Sequence, residues 1–125
     1  MVDQAEMKQR TKAFALDVVR FTESLPRTRS GEVIARQLVR SATSVGANYR
    51  AVCRARSRAD FISKLGIVAE ETDESLYWME LLVESGAVAE KQLAGLMSEA
   101  NEICAILTSS IKRARTNVTR TKSQI

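Results

Sequence analysis

Apolar side chains recur every three or four residues through most of the chain, the spacing that gathers them on one face of a helix. From Asp3 to Leu25 the stripe is Met7, Phe14, Val18, Phe21 and Leu25, closed by Pro26, whose ring disfavours helical backbone in the residue before it. The stretch Pro26-Arg27-Thr28-Arg29-Ser30-Gly31 has no apolar period and predicts a loop, with Ser30 placed to cap the next segment. A second helix is predicted over 31–55, with Ile34, Leu38, Ser41, Val45, Asn48 and Val52 on one face. Ser57 then stands as an N-cap with Asp60 three residues on, a short-armed capping box that opens a third helix over 58–85. Phe61, Leu65, Val68, Thr72, Leu76, Met79 and Val83 form its expected core face, and Gly86 suits a left-handed cap. A fourth helix is expected over 89–115, carrying Leu93, Leu96, Met97, Ala100, Ile103, Leu107 and Ile111. Residues 116–125 are polar, basic and without period, which predicts a flexible tail. Long helices joined by loops of about 2 to 6 residues pack as neighbours, so the pattern predicts an all-α, antiparallel up-and-down four-helix bundle.

Composition agrees and narrows the chemistry. A chain of 125 residues that is 45% apolar and 27% charged is one ordinary globular domain, and a single Pro with 5 Gly leaves little for a turn-rich sheet protein. The complete absence of His removes His-based catalytic triads, imidazole zinc sites and the Glu-x-x-His signature of di-iron bundles. No nucleophile has a base beside it and no Gly-rich phosphate loop exists, so no catalytic residue, cofactor or enzymatic activity is expected. Cys53 and Cys104 stand alone in apolar helical patterns and are read as small buried hydrophobes. With no basic leader before an apolar run and no window near the roughly 20 apolar residues of a membrane span, a soluble cytoplasmic protein is expected.

The net charge of +4 conceals a strong partition. Residues 27–59 carry eight Arg against Glu32 alone, residues 60–111 carry ten acids against Lys64 and Lys91, and residues 112–125 carry five bases and no acid. On a wheel of about 100° per residue, Arg36, Arg40, Arg50 and Arg54 share a wedge about 80° wide, opposite the apolar face. A merely solvated face mixes Glu with Lys, whereas this one is nearly all Arg, and like charges one turn apart repel. Guanidinium is favoured where phosphate or carboxylate is gripped by two donors, so the wedge, with Arg58, Arg113 and Arg115 beside it, is a candidate nucleic-acid-binding surface. Arg120 and Lys122 extend the basic tail. Tyr49 is the one aromatic on this helix and lies toward the core, so contacts to phosphate rather than base stacking are expected.

The third helix bears a second row, Ile67, Glu71, Glu74, Trp78 and Leu81, pointing away from the bundle's own core. An outward Trp with flanking apolar groups and a polar rim predicts an oligomer interface. The acids Glu70, Glu71, Asp73 and Glu74 sit on different sides of a helix, which argues for pairing with arginines of another helix or subunit and against a metal site. Asn48, at the edge of the buried wedge, is expected to make a structural hydrogen bond.

Residues Leu25 to Val88 resemble a known family. The segments Leu25-Pro26, Arg40-Ser41-Ala42-Thr43-Ser44-Val45-Gly46-Ala47-Asn48-Tyr49-Arg50-Ala51, Ser57-Arg58-Ala59-Asp60-Phe61-Ile62-Ser63-Lys64-Leu65-Gly66-Ile67-Val68 and Asp73-Glu74-Ser75-Leu76-Tyr77-Trp78-Met79-Glu80-Leu81-Leu82 look like the small four-helix-bundle proteins encoded within intervening sequences of bacterial 23S ribosomal RNA genes. The resemblance implies a ring-like homopentamer and no enzyme. It extends in shape to the accessory protein of diversity-generating retroelements, which implies nucleic acid and, by analogy, a reverse transcriptase as partners. Many members have an acidic Ala-Glu-Gly stretch where this chain has Tyr49-Arg50-Ala51, so the arginine face is argued from this sequence alone. Two functions follow as expectations: a non-catalytic oligomeric binder of RNA or DNA phosphates, or an oligomeric scaffold whose arginines pair with acidic protein surfaces.

Overall fold

The computed structural model describes residues 3–124, with side chains described for residues 3–116. Four helices follow one another: α1 (Gln4–Glu23), α2 (Arg29–Val52), α3 (Arg58–Glu84) and α4 (Glu90–Gln124), with no strand among the described residues. Each packs against its neighbours in sequence, and α1 meets α4 over a narrower contact that closes the bundle. The expectation of a flexible tail falls largely on residues 117–125, whose side chains lie outside those described.

Each helix begins where a side chain can take its unpaired amides. Asp3 accepts from the Ala5 N–H at 2.9 Å at the start of α1. For α2 the cap is Thr28, not Ser30: its hydroxyl accepts from the Gly31 N–H at 3.1 Å, and Ser30 lies inside the first turn. Gly31 is what permits this, because a Cβ there would stand 2.6 Å from the Thr28 hydroxyl. The Ser57 hydroxyl accepts from Asp60 N–H at 3.0 Å, while the Asp60 carboxylate reaches back to the Arg56 N–H at 3.2 Å rather than to the cap residue itself. After α3 the chain turns at Gly86, whose φ of 81° is open to glycine and costly for a residue with a Cβ.

The core follows a 3.5-residue repeat. On α2 it runs Leu38, Ala42, Val45, Tyr49, Val52, and on α3 it runs Leu65, Val68, Thr72, Ser75, Met79, Leu82. An apolar wheel read at 3.6 residues per turn drifts by about 20° per heptad against such a seam. That is why Leu76 and Val83, expected in the core, are half-buried while Ser75 and Leu82 take their places. The buried serine has a function there: Ser75 and Ser41 hydroxyls lie 2.8 Å apart across α2 and α3, one donating to the other, and the hydroxyl that accepts donates in turn to a carbonyl of its own helix. Small groups bring the backbones close elsewhere too, since a Cβ on Gly46 would sit 3.4 Å from the Thr11 carbonyl oxygen of α1. At the narrow α1–α4 seam, Arg10 grips Glu99 with two donors at 2.8 and 2.7 Å and reaches Glu102 at 3.0 Å.

Candidate functional site

The arginine wedge of α2 divides along its length. Arg40 is clasped by α3: it donates to Glu74 by a short contact, lies 3.5 Å from Glu71, and is steadied by Gln37 at 3.1 Å. Glu74 also accepts from the Trp78 indole N–H at 3.3 Å. The Arg40 hydrogen bond holds the Glu74 carboxyl below the ordinary Glu range, whereas burial and the neighbouring Glu74 charge push Glu71 above it. One clasp therefore contains an acid that is stabilised as an anion and an acid that is not.

Ten residues further along, the same face opens onto a concavity of about 670 Å³ at the α2–α3 corner. Arg50 lines it from the end of α2, Arg54 and Arg56 from the turn and Lys64 from α3, together with Ala47 and Ala51. Lys64 holds both carboxylate oxygens of Asp60 at 2.6 and 2.7 Å, and with the Arg56 N–H it keeps that carboxyl below its ordinary range. Among the described residues no carboxylate forms a salt bridge with the guanidinium of Arg50, Arg54 or Arg56, and the acid nearest Arg56, Asp60, is the one held by Lys64. The antiparallel register explains the contrast. Moving up α2 from Arg40 to Arg50 moves down α3 from Glu74 to Lys64, so a cation replaces an anion opposite the wedge.

The remaining expected residues are dispersed. Arg36 is exposed beside a separate open hollow near the α1–α2 turn that Glu23 and Glu32 also line. Arg58 faces a third hollow with Gln4 and Phe61, around the corner from Arg54. Arg113 and Arg115 are exposed near the end of the described part of α4, while Arg120 and Lys122 lie outside the described side chains. Helix-wheel reasoning missed Arg56 and Lys64 as parts of the basic corner because α2 ends at Val52, three residues before the expected end, and Arg54 already stands in the turn. The available signal was the run Arg54-Ala55-Arg56-Ser57-Arg58 itself.

On α3, Ile67 is 43% exposed, whereas Glu71, Glu74, Trp78 and Leu81 are half-buried, and Trp78 packs against the core cluster. Tyr77, which the wheel left out of this row, is 52% exposed and meets Trp78 edge-on with ring centroids 5.1 Å apart. Asn48 donates to the Ser44 carbonyl at 2.8 Å, a structural bond within α2. Cys53 and Cys104 are half-buried, and burial pushes the Cys104 thiol up. Tyr49, buried on the core side, has its phenol pushed up to about 12 by desolvation. Among the described residues no group of His, Cys, Asp and Glu could hold a metal ion, and no helix is long and apolar enough to cross a membrane.

Comparison with solved structures finds a protein of unknown function of the S23 ribosomal protein family from Bacteroides thetaiotaomicron VPI-5482. It is 37% identical, covers 84% of this chain and 97% of its own, and superposes with a TM-score of 0.78. Among curated proteins no relative matches. The family model described as 23S rRNA-intervening sequence protein matches residues 3–109, which include all of α1 to α3, the clasp and the basic corner. With that match over most of its length, the chain belongs to the 23S rRNA-intervening sequence protein family.

Proposed function

We propose that the molecule is a non-catalytic, cytoplasmic, oligomeric nucleic-acid-binding protein that grips RNA or DNA phosphates through the arginine face of α2, most strongly at the α2–α3 corner. The observation that carries this reading is the convergence of Arg50, Arg54 and Arg56 on one open concavity with no guanidinium salt bridge among the described residues, in a chain that supplies carboxylates to Arg10, Arg20 and Arg40. Unrelieved guanidiniums one turn apart repel each other, and a bound polyanion removes that repulsion. No aromatic lines the concavity, which favours phosphate contacts over base stacking. Exposed Ile67 and Tyr77 beside half-buried Trp78 support self-association, for which a ring-like homopentamer is the expected form.

The test is fluorescence anisotropy with labelled structured RNA and duplex DNA across a salt series, with assembly mass followed by light scattering. Log affinity is expected to fall against log salt by about 0.9 for each duplex phosphate neutralised, with little preference among sequences. Arg50→Glu/Arg54→Glu is expected to weaken binding at least roughly a hundredfold. Undiminished binding in a folded double variant sinks the assignment. The scaffold reading draws on one specific observation, the Arg40 clasp, in which an arginine of this face sits on protein carboxylates. It predicts no oligonucleotide binding at low salt and an assembly that dissolves as salt rises.

A further inference from the structure

The end of α2 and the turn after it bring two small and two cationic residues to the corner: Ala47, Arg50 and Ala51 from the helix and Arg54 from the turn. Ala47 and Ala51 lie one turn apart on one helix face, so their two methyl groups line the concavity beside Arg50. Ala47 is exposed, so its small size answers to the concavity and not to the core. Arg56 and Lys64 line it from the turn and from α3, and Asp60, the one acid in the lining, pairs with Lys64 and accepts from the Arg56 N–H, so that the three guanidiniums supply the net positive charge. Guanidiniums from the end of α2 and from the turn thus converge on one depression.

A strand passing over a protein presents one negative charge per phosphate diester and needs a track open at both ends. A phosphate monoester at a strand end carries about −1.5 to −2 charge at pH 7 with three acceptor oxygens, and it enters from one side. Forked guanidiniums suit those oxygens better than point charges do. We propose that the α2–α3 concavity seats the terminal phosphate monoester of a nucleic-acid strand. The inference rests on the nucleic-acid reading above and specifies which part of the ligand the corner takes.

The experiment compares three internally labelled single-stranded RNAs at fixed salt: phosphate-ended, hydroxyl-ended, and hydroxyl-ended but two nucleotides longer, whose two added diester charges equal or exceed that of the monoester. The phosphate-ended strand is expected to bind roughly tenfold tighter than either hydroxyl-ended one, the gain from one added charge-assisted hydrogen bond. Ala47→Leu fills the concavity without changing charge and with a good helix former, and Arg54→Ala removes a donor; both are expected to bring the ratio to one. Circular dichroism establishes that each variant is folded. Equal affinities for the three strands with a steep salt slope overturn the end-phosphate seat and leave general phosphate binding standing. A preference that survives both variants also overturns it, since the end is then held elsewhere. Absence of binding to every strand overturns the nucleic-acid reading and this proposal with it.

Discussion

Arg40 and Arg50 lie on one helix face, ten residues apart, and their surroundings are opposite. Arg40 is clasped by Glu71 and Glu74, whereas Arg50 borders an open concavity shared with Arg54, Arg56 and Lys64. The lesson is that an arginine-rich face on one helix is not one binding surface. What each guanidinium is available to do depends on the residue that the antiparallel partner brings opposite it. Where α3 supplies an acid, the arginine ties two helices together; where it supplies Lys64, the charge is left for an external anion.

The comparison is broken most severely by changing the residue opposite Arg50. Lys64→Glu places a carboxylate there as Glu74 stands opposite Arg40, and it deprives Asp60 of its ammonium partner. Oligonucleotide affinity in an anisotropy titration is expected to fall roughly tenfold. A variant that binds as well as the wild type would show that the register argument is wrong.

The converse change is smaller. Glu71→Gln/Glu74→Gln releases Arg40 and extends the free basic surface along α2. Affinity is expected to rise by roughly two- to fivefold, and the salt slope on duplex DNA to steepen by up to about 0.9, one further phosphate contact. An unchanged slope would mean that the nucleic acid never reaches this half of the face.

Thermal melting sharpens the contrast by sign. Arg50→Ala removes an unrelieved like-charge neighbour of Arg54 and is expected to raise the midpoint by roughly 1 °C, whereas Arg40→Ala breaks the clasp and lowers it by about as much. Two shifts of the same sign would erase the distinction between the two halves.

The smallest effect is inside the clasp and concerns pH. Glu74 is held below the ordinary Glu range by Arg40, so its contribution to stability is present above that range and is lost only as pH falls through its lowered pKa. Glu71 is pushed above the range by burial, so its ionisation opposes folding and acidification relieves that cost first. Carboxyl-carbon NMR is expected to show Glu71 protonating before Glu74. In Arg40→Ala the Glu74 transition moves up toward the ordinary value, and a Glu74 transition that stays put would remove Arg40 as its cause.

Local features of the bundle were legible because they depend on near neighbours in the chain. The Ser57 cap, the Gly86 turn, the loop after Leu25 and most core positions rest on spacing or on one residue's conformational freedom. Departures came where another helix set the terms. Ser75 is buried because Ser41 of α2 meets it, and the α3 seam follows the 3.5-residue repeat of packed helices and not the period of an isolated one. One departure was local: Thr28 rather than Ser30 caps α2, because Gly31 leaves room for the Thr28 hydroxyl.

The candidate site was half legible for the same reason. The block of eight arginines and their approach to one helical wedge could be counted, as could the segregation of acids into the second half of the chain. Helix period, loop length and charge partition are thus properties the amino-acid sequence determines by itself, because each is set by side chains within a few turns of one another. Which arginines are spent on carboxylates, and which converge on an open corner, was decided by the tertiary structure alone. Arg40 and Glu74 are 34 positions apart, and only the antiparallel packing of α2 on α3 brings a particular charge to lie opposite another.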